Sequence, residues 1–232
     1  MELTILMPCL NESASVAFCI QEASSYLTSR EIKGEVLIAD NGSADDSREL
    51  ALAAGARVIT VPEKGYGNAV RFGIHAAKGR YIIIGDCDGS YDFSDLDPIL
   101  EKLRQDWHLV IGNRFSGGIA RGAMPFSHRY WGVPLLSWLG RCRYKVNISD
   151  FHCGLRGIAR AAALETEFQC TGMEFATEMI AQAIKTGLSI AQTPVVLRKC
   201  SYKRKSKLRT IRDGLRHLLY MLQIPGKWRN VL

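Results

Sequence analysis

The sequence lacks the cysteine spacing of a disulfide framework or a zinc module. Its seven cysteines include no C-x-x-C pair, their number is odd, and their spacing is irregular. This pattern argues against a disulfide-stabilised or zinc-binding domain and favours a reducing compartment. His152 and Cys153 are adjacent, but without a second pair of soft ligands we expect them to be structural.

Long apolar runs, internal repeats and low-complexity linkers are also missing from the sequence. No run of about 18 apolar residues occurs, so no segment is expected to span a bilayer. The N-terminal residues 1–8 have no basic segment and are typical of a first strand rather than a signal peptide. A chain of 232 residues without a linker predicts one medium domain, or one domain with a tail.

Acidic residues are too few to balance the basic ones. The chain has 23 Asp and Glu against 30 Lys and Arg, which gives a net charge of +7. An excess of this sign favours an anionic partner, such as a nucleotide, lipid headgroups or nucleic acid. Much of the excess lies in residues 198–209, which contain seven basic residues and no acid. Tyr202 is the single aromatic residue in that run and no recognisable nucleic-acid module is present, so we do not expect nucleic-acid binding.

Apolar, β-branched runs alternate with helical segments along the chain. This alternation predicts an α/β fold with a mostly parallel, Rossmann-like sheet, right-handed crossovers and helices on both faces. Pro194 interrupts the last run, which is therefore expected at a sheet edge. The predicted strands cover residues 3–7, 35–39, 57–61, 80–84, 109–112 and 188–197.

Four loops rich in polar residues or glycine follow predicted strands. They cover residues 8–12, 40–43, 64–68 and 86–90. Ligands of parallel sheets bind beyond the carboxyl ends of the strands, so these loops are expected to form one site. No glycine-rich loop follows the first strand, and the glycines at 65 and 67 lack the G-x-G-x-x-G and Walker spacings, which disfavours dinucleotide binding.

Asp86 and Asp88 follow the buried run at residues 80–84. Carboxylates at the end of a buried strand require a positive partner. Two carboxylates one residue apart suit a Mg²⁺ or Mn²⁺ ion that keeps positions open for substrate phosphates. A lone D-x-D is more often a solvated turn, but the neighbouring loops favour a metal site.

Further charged residues follow in the second half of the chain. Arg114, at the end of the fifth strand, could clamp a diphosphate with two hydrogen bonds, or form a surface ion pair. The turn at residues 150–157 contains an acid and a base. Glu174 and Glu178 share one helix face, which is consistent either with an acceptor-side role or with a solvated acidic surface.

Two segments could contact either the domain or a lipid. Residues 128–139 are aromatic and apolar with basic flanks, which fits an ordinary core helix or an interfacial element beside a lipid substrate. We divide the chain into a catalytic domain at 1–197 and a basic, amphipathic tail at 198–232. The tail helix is expected to dock on the domain or to lie on an anionic membrane surface, and the two are compatible. Its apolar stripe consists of Leu208, Ile211, Leu215, Leu218 and Leu222.

The ordered set of motifs resembles glycosyltransferase family 2, the inverting GT-A nucleotide-sugar transferases. Within that family, the likeness is to dolichyl-phosphate mannose synthases and bacterial polyprenyl-phosphate glycosyltransferases. The matching segments are P-x-x-N-E at 8–12, D-N-G-S at 40–43, K-G-x-G-x-A at 64–69, D-x-D at 86–88, G-N-R-F at 112–115 and D-x-x-x-G-x-R at 150–156.

The resemblance implies a GT-A fold and a role for residues of each motif. Asp86 and Asp88 would hold Mg²⁺ or Mn²⁺ and the donor diphosphate, and Arg114 would contact the diphosphate or the acceptor phosphate. Asp150, Arg114 and Arg156 are implied as the catalytic residues, with Asp150 and Arg156 near the transferred sugar. An alcohol acceptor would need a general base, for which Asp150 or Glu174 is the candidate. The residues implied in nucleotide-sugar binding are Pro8, Leu10, Glu12, Asp40, Lys64, Gly67, Asp86, Cys87, Asp88 and Arg114, and Arg198 and Lys207 are implied in phosphate binding.

The activity implied is transfer of a hexose from a UDP- or GDP-linked donor to a polyprenyl phosphate, dolichyl or undecaprenyl. Such a protein is expected in the cytoplasm, peripheral at the cytoplasmic face of a membrane, held there directly, by a membrane-protein partner or as a homo-oligomer. One alternative is a family 2 transferase with a soluble or polysaccharide acceptor. Another is a nucleotidyltransferase or a sugar-nucleotide-binding protein.

Overall fold

The computed structural model describes residues 1–200 and 210–222. It contains one seven-stranded sheet and the helices that connect its strands. The strands are β1 (Leu3–Cys9), β2 (Gly34–Asp40), β3 (Arg57–Thr60), β4 (Tyr81–Ile84), β5 (Leu109–Asn113), β6 (Arg156–Ala159) and β7 (Ile190–Pro194). The helices are α1 (Val16–Ser29), α2 (Ser47–Ala53), α3 (Tyr66–Ala76), α4 (Asp97–Arg104), α5 (Arg114–Gly117), α6 (Val133–Tyr144), α7 (Arg160–Glu165), α8 (Phe175–Lys185) and α9 (Thr210–Leu222), with a π-helical turn (His128–Gly132) before α6.

The strands lie in the order β3-β2-β1-β4-β6-β5-β7. All neighbours are parallel except β6, which runs antiparallel to both β4 and β5. This arrangement confirms the predicted mostly parallel α/β sheet, and β7 lies at an edge as Pro194 indicated. Strand β6 was missed in the sequence, because its four residues, R-G-I-A, contain no apolar run and begin within the predicted turn.

The centre of the core is formed by β1 and β4. Leu3, Ile5 and Leu6 of β1 and Ile82 and Ile83 of β4 are all fully buried. Strands that are covered on both faces need a continuous apolar sequence. The apolar runs at residues 3–7 and 80–84 therefore predict central strands from the sequence alone. Their carboxyl ends place the loops after residues 9 and 84 side by side.

Two glycines at the start of α3 allow one loop to pack closely against another. The Gly67 amide donates to the Thr171 carbonyl (2.9 Å). A Cβ at Gly67 would lie 2.2 Å from the Cys170 carbonyl oxygen, and one at Gly65, which has φ +135°, would lie 2.1 Å from that of Thr171. These glycines therefore serve the contact between residues 64–68 and 170–171, a backbone contact that side chains would prevent.

We expect Gly67→Ala to lower the free energy of unfolding by about 1–3 kcal/mol, because the main chain at Cys170 cannot move away without breaking the loop contact. Gly214→Ala is the matched control, since nothing lies within 4 Å of a Cβ there and the residue is inside α9. That substitution should raise stability by about 0.5–1 kcal/mol. Urea unfolding measures both, and equal effects of one sign would contradict the close contact.

The C-terminal helix α9 packs on α6 and α8. The Arg143 Nε donates to the Met221 carbonyl (3.2 Å), and Arg216 forms an ion pair with Glu174 (2.7 Å). Docking of the tail helix on the domain is thus observed, and lipid contact stays a prediction. Leu208 of the predicted stripe lies outside the described residues. The division of the chain at residue 197 also stays a prediction.

Candidate active site

Asn41 joins three of the strand-end loops. Its backbone amide donates to the Cys9 carbonyl (2.8 Å) at the end of β1. Its side chain bridges the glycine-rich loop, accepting from the Gly65 amide (2.7 Å) and donating to the Glu63 carbonyl (2.8 Å). The predicted convergence of these loops at one edge of the sheet is therefore present.

A second set of hydrogen bonds fixes the loop after β1. Asn11 accepts from the Ala44 amide through its side chain (2.7 Å), and the Glu12 amide donates to Ser47 Oγ (2.7 Å). Asp40 is buried and accepts from the Ser43 amide (3.2 Å). Pro8 and Leu10 are half-buried, and Lys64, in the glycine-rich loop, is exposed.

Asp86 and Asp88 lie directly after β4, with Asp86 half-buried and Asp88 buried. Asp88 Oδ1 accepts from the Ser90 amide (2.8 Å). A Cβ at Gly154 would lie 2.7 Å from Asp86 Oδ2, so the glycine lets that carboxylate approach the main chain of the turn at residues 150–157. The loop after β4 and this turn therefore form adjacent walls of one site.

The oxygen donors of this pair fit a hard divalent cation. Mg²⁺ and Mn²⁺ are held in nucleotide sites by one or two carboxylates plus substrate phosphates and water. Within residues 1–200 and 210–222, no three His, Cys, Asp or Glu side chains are grouped as a complete metal site. A metal at Asp86 and Asp88 would therefore depend on the nucleotide for further ligands.

Cys87, between the two aspartates, is buried. Its Sγ contacts the Pro8 carbonyl oxygen (3.3 Å), and its own carbonyl accepts from Ser15 Oγ (2.7 Å). The side chain thus faces β1, and its place in the motif is to fix the loop between the carboxylates. Binding of the nucleotide sugar by this residue stays a prediction that its thiol geometry does not favour.

Arg198 has a different position from the one expected of a phosphate-binding residue. Its guanidinium forms ion pairs with Glu22 (2.7 Å) and with Asp92, and its backbone amide donates to the Ser90 carbonyl (2.8 Å). Phosphate binding by Arg198 stays a prediction that this geometry does not favour, since two carboxylates pair with its guanidinium and its main chain holds the loop after β4. Lys207 lies outside the described residues.

Arg114 and Asp150 form a buried, bidentate ion pair. The Arg114 Nε lies 2.7 Å from Asp150 Oδ2 and its Nη2 lies 2.8 Å from Oδ1. Asp150 is 0% exposed and Arg114 is 8% exposed. Asp150 also accepts from the backbone amides of Arg114 (3.2 Å) and His152 (3.3 Å). The pair joins the end of β5 to the turn at 150–157, and both carboxylate oxygens are engaged.

Arg156 is buried and its guanidinium donates hydrogen bonds to backbone carbonyls of the same turn. Its three guanidinium nitrogens donate to the carbonyls of Cys153 (2.7 Å), Phe151 (2.6 Å) and Ala176 (2.5 Å). Burial lowers the pKa of Arg156 from its usual value. With its three nitrogens bound to main-chain oxygen, Arg156 fixes the shape of the turn, and its place near the transferred sugar stays a prediction.

Tyr91 is a residue of the site that the sequence analysis missed. Its hydroxyl accepts from the Gly154 amide (2.8 Å), which ties the loop after β4 to the turn. Burial raises the pKa of Tyr91 far above its usual value, so the hydroxyl keeps its proton. A tyrosine in a loop carries no motif of its own, and only the hydroxyl's partner, 63 residues away, gives it a role.

Glu174, directly before α8, and Glu178, within it, are buried and accept hydrogen bonds from neighbouring backbone amides, so they do not form a solvated surface. Glu178 accepts from the amides of Gln169 (2.8 Å) and Cys170 (2.9 Å), and burial raises its pKa. Glu174 pairs with Arg216 of α9. Both carboxylates therefore stabilise the segment that packs on the glycine-rich loop.

Helix α9 also touches the turn through a pair of histidines. The rings of His217 and His152 meet edge to face with centroids 4.4 Å apart, and His217 Nδ1 hydrogen-bonds Thr177 Oγ1 (2.8 Å). Burial, with Arg156 and Arg216 nearby, lowers the pKa of His217 to about 4. The pKa of His152 is held well below its usual range, also by burial. Both rings are therefore neutral near pH 7.

This pair predicts acid-sensitive stability. The pKa of His217 is near 6.5 when unfolded and about 4 when folded, so below pH 6.5 protons bind preferentially to the unfolded chain. The stabilisation is complete above about pH 6.5 and is lost as pH falls toward 4, by about 2 kcal/mol at pH 5. Urea unfolding at pH 7.5 and pH 5 measures it, and His217→Gln should reduce the difference. An unchanged difference in that variant would contradict the assignment.

Comparisons with known proteins agree with this geometry. Residues 4–166 match the profile of Glycosyl transferase family 2. The low-salt glycan biosynthesis hexosyltransferase Agl6 of Haloferax volcanii is 37% identical over 226 residues, which cover 97% of this chain and 54% of that protein. The human dolichyl-phosphate beta-glucosyltransferase is 28% identical over 187 residues, or 71% of this chain and 57% of that protein. The chain thus spans little more than half the length of these curated relatives.

A solved structure shares the fold. Glucosyl-3-phosphoglycerate synthase from Mycobacterium tuberculosis, in complex with Mn²⁺, uridine diphosphate and phosphoglyceric acid, superimposes with a TM-score of 0.75 at 22% identity. The match covers 97% of this chain and 80% of the synthase. The predicted GT-A fold is confirmed, and the profile match covers more than half of the chain. The protein belongs to glycosyltransferase family 2.

Proposed function

We propose that this glycosyltransferase transfers a hexose from a nucleoside diphosphate sugar to a polyprenyl phosphate, with inversion at the anomeric carbon. The observation that carries the proposal is the meeting of Asp86 and Asp88 with the turn at residues 150–157, where Gly154 admits the Asp86 carboxylate. The loops fixed by Asn41 and Asn11 would hold the nucleotide next to this point. A uridine diphosphate donor is favoured by the structural relative, and a GDP-linked sugar is the alternative.

Asp86 and Asp88 would hold the Mg²⁺ or Mn²⁺ ion in this proposal. The ion would supply positive charge beside the donor diphosphate, where negative charge develops as the sugar leaves. The chain's own contribution is the rigid placement of the carboxylates, through the Ser90 amide and through Ser15, which fixes the Cys87 carbonyl. Preorganised groups of this kind stabilise a transition state without reorganising during the reaction.

The state of the candidate bases favours a phosphate acceptor. An alcohol needs a general base, and the sequence offered Asp150 and Glu174 for that role. Asp150 has both oxygens bound to Arg114, and Glu174 is paired with Arg216. A phosphate acceptor is already anionic at neutral pH and needs no general base. Its attack would therefore not require either of these ion-paired carboxylates.

The names of the relatives support this choice of acceptor class. The human relative is a dolichyl-phosphate beta-glucosyltransferase, and Agl6 is a hexosyltransferase of glycan biosynthesis. The second candidate is a soluble acceptor, because the structural relative holds phosphoglyceric acid.

Transfer from radiolabelled UDP-glucose to phytanyl phosphate or undecaprenyl phosphate tests the proposal. Parallel reactions would offer GDP-mannose as donor and phosphoglyceric acid as acceptor. The proposal predicts lipid-linked product that disappears with EDTA and returns with Mn²⁺ or Mg²⁺. Product on the soluble acceptor alone would establish the second candidate, and full activity in EDTA would contradict the metal site.

The lipid acceptor implies a place for the reaction. We assign the protein to the cytoplasmic face of a membrane as a peripheral protein, alone or with a membrane-protein partner or a second copy. No helix in residues 1–200 and 210–222 is both long and apolar enough to cross a bilayer.

A further inference from the structure

The segment containing α6 docks on the domain and leaves large apolar side chains exposed. Trp131, Leu135 and Trp138 recur at helical spacing and are all exposed, Trp131 by 71%. The docked side contains Leu136 and Leu139, which pack on the core, and the small residues Ser137 and Gly140; a Cβ added at Gly140 would lie 2.7 Å from the Phe151 ring. An ordinary amphipathic helix has polar residues on its outer side, whereas this segment has apolar residues on both sides.

Helix α9 also leaves large apolar side chains exposed. Its buried residues include Met221 together with the polar Asp213 and His217, whereas Leu215, Leu219 and Leu222 are exposed, Leu222 by 64%. The polar residues are buried because they meet partners there, such as Thr177 on α8 for His217. The leucines have no comparable partner among the described residues.

The two helices are neighbours, joined by the hydrogen bond from Arg143 Nε to the Met221 carbonyl. We call their combined exposed residues the outer apolar face: Trp131, Leu135, Trp138, Leu215, Leu219 and Leu222. Phe126 and Tyr130, whose ring centroids lie 4.6 Å apart with the planes tilted by 43°, are also exposed just before α6. Soluble proteins seldom leave so many large apolar side chains on one pair of helices without a partner surface.

The charge around this face indicates which partner. No acidic residue occurs between Asp106 and Asp150, and Asp213, the single acid of α9, is buried. Arg143, Lys145 and Arg212 are exposed on these helices. A symmetric contact with a second copy would bring these cations together with no carboxylate to offset them, which is unfavourable.

We propose that the outer apolar face lies on an anionic lipid bilayer. Tryptophan and leucine side chains insert at the headgroup level, and flanking arginines and lysines bind anionic headgroups. This inference extends the proposed function, because a polyprenyl phosphate is itself held in a bilayer.

The inner sides of the same helices contact the active-site turn. Gly140 of α6 packs on Phe151, and His217 of α9 packs on His152. A bilayer on the outer side would therefore lie one helix layer from the turn that neighbours Asp86 and Asp88. This distance suits an acceptor whose phosphate must reach the site while its tail stays in lipid.

Vesicle flotation tests the face without any acceptor. Wild-type protein is mixed with vesicles of phosphatidylcholine, or of phosphatidylcholine with phosphatidylglycerol. We expect about tenfold tighter binding to the anionic vesicles, weakening as salt rises. Trp138→Gln with Leu219→Gln should weaken binding about tenfold. The matched control is Phe18→Gln with Leu52→Gln, two similarly exposed apolar residues on α1 and α2, which should bind as wild type.

Three results would overturn the proposal: no preference for anionic vesicles, equal loss in the control variant, or a dimer in sedimentation velocity that the Trp138 and Leu219 variant dissociates. Failure of the proposed function is separable. If the wild type floats with anionic vesicles but transfers sugar to no prenyl phosphate, the face stands and the acceptor assignment fails. A water-soluble short-chain prenyl phosphate gives the complementary check, since the face variant should use it at the wild-type rate.

Discussion

Asp88→Asn is expected to lower the kcat of sugar transfer by about 10³-fold while the protein stays folded. In the proposed metal site, the substitution removes one charged ligand, and such a ligand contributes several kcal/mol of transition-state stabilisation. The side chain keeps its shape, and its Oδ1 can still accept from the Ser90 amide as in the wild type (2.8 Å). The loss should therefore appear in turnover and in metal-dependent donor binding rather than in stability.

Initial rates with UDP-glucose and Mn²⁺, together with calorimetric titration of UDP with and without Mn²⁺, measure the effect. Asp95→Asn is the control, because this carboxylate is exposed in the same loop before α4. It should retain wild-type rates. Wild-type turnover in Asp88→Asn would remove the metal assignment, and tight, Mn²⁺-dependent UDP binding by that variant would place the ion elsewhere.

The sequence was sufficient for the parallel part of the sheet and for the convergence of its loops. The runs at 3–7 and 80–84 are buried on both faces, so their apolar character is continuous and needs no knowledge of partners. The loops after them converge because parallel strands end at one edge. Strand β6 has neither property. It is short, and its antiparallel pairing depends on contacts with β4 and β5 that no local pattern encodes.

The roles of individual charged residues were harder to predict, because each depends on a partner distant in the chain. Arg198 is charged and follows a strand, which suggested phosphate binding, but Glu22 lies 176 residues earlier and takes up its charge. Arg156 was assigned to the sugar by motif alone, and its three carbonyl partners appear only in the folded turn. The residue type thus indicates which kind of group a charged side chain can bind, whereas the fold determines which group it contacts.

The orientation of α9 illustrates the same limit. Periodicity located an apolar stripe that contains Leu215 and Leu222, and it correctly predicted an amphipathic helix. It could not say which side docks, because a polar side is buried only when the fold supplies partners for it. Thr177 and Glu174 supply them for His217 and Arg216.

Asp150→Asn is expected to produce the largest loss of stability, about 3–5 kcal/mol. The substitution leaves the Arg114 guanidinium, 8% exposed, without a counter-charge in the interior. Asparagine keeps one acceptor oxygen instead of two, and its amide group would face the second Arg114 nitrogen as donor against donor. Urea unfolding gives the free energy, and a thermal melt should show a Tm lower by about 10 °C for a chain of this size.

The matched control is an arginine–aspartate pair that differs in burial. Arg30 contacts Asp97 through Nε (2.9 Å) and Nη2 (2.6 Å), but the Arg30 side chain is 50% exposed. Asp97→Asn should therefore cost about 1 kcal/mol or less. In a double-mutant cycle, Arg114→Gln with Asp150→Asn should lose less than the sum of the single variants, because removing both charges leaves neither unpaired. Equal costs at the buried and exposed pairs would mean that water reaches the Arg114 site. The pair would then be free to exchange partners, and Asp150 would again be available as a base for an alcohol acceptor.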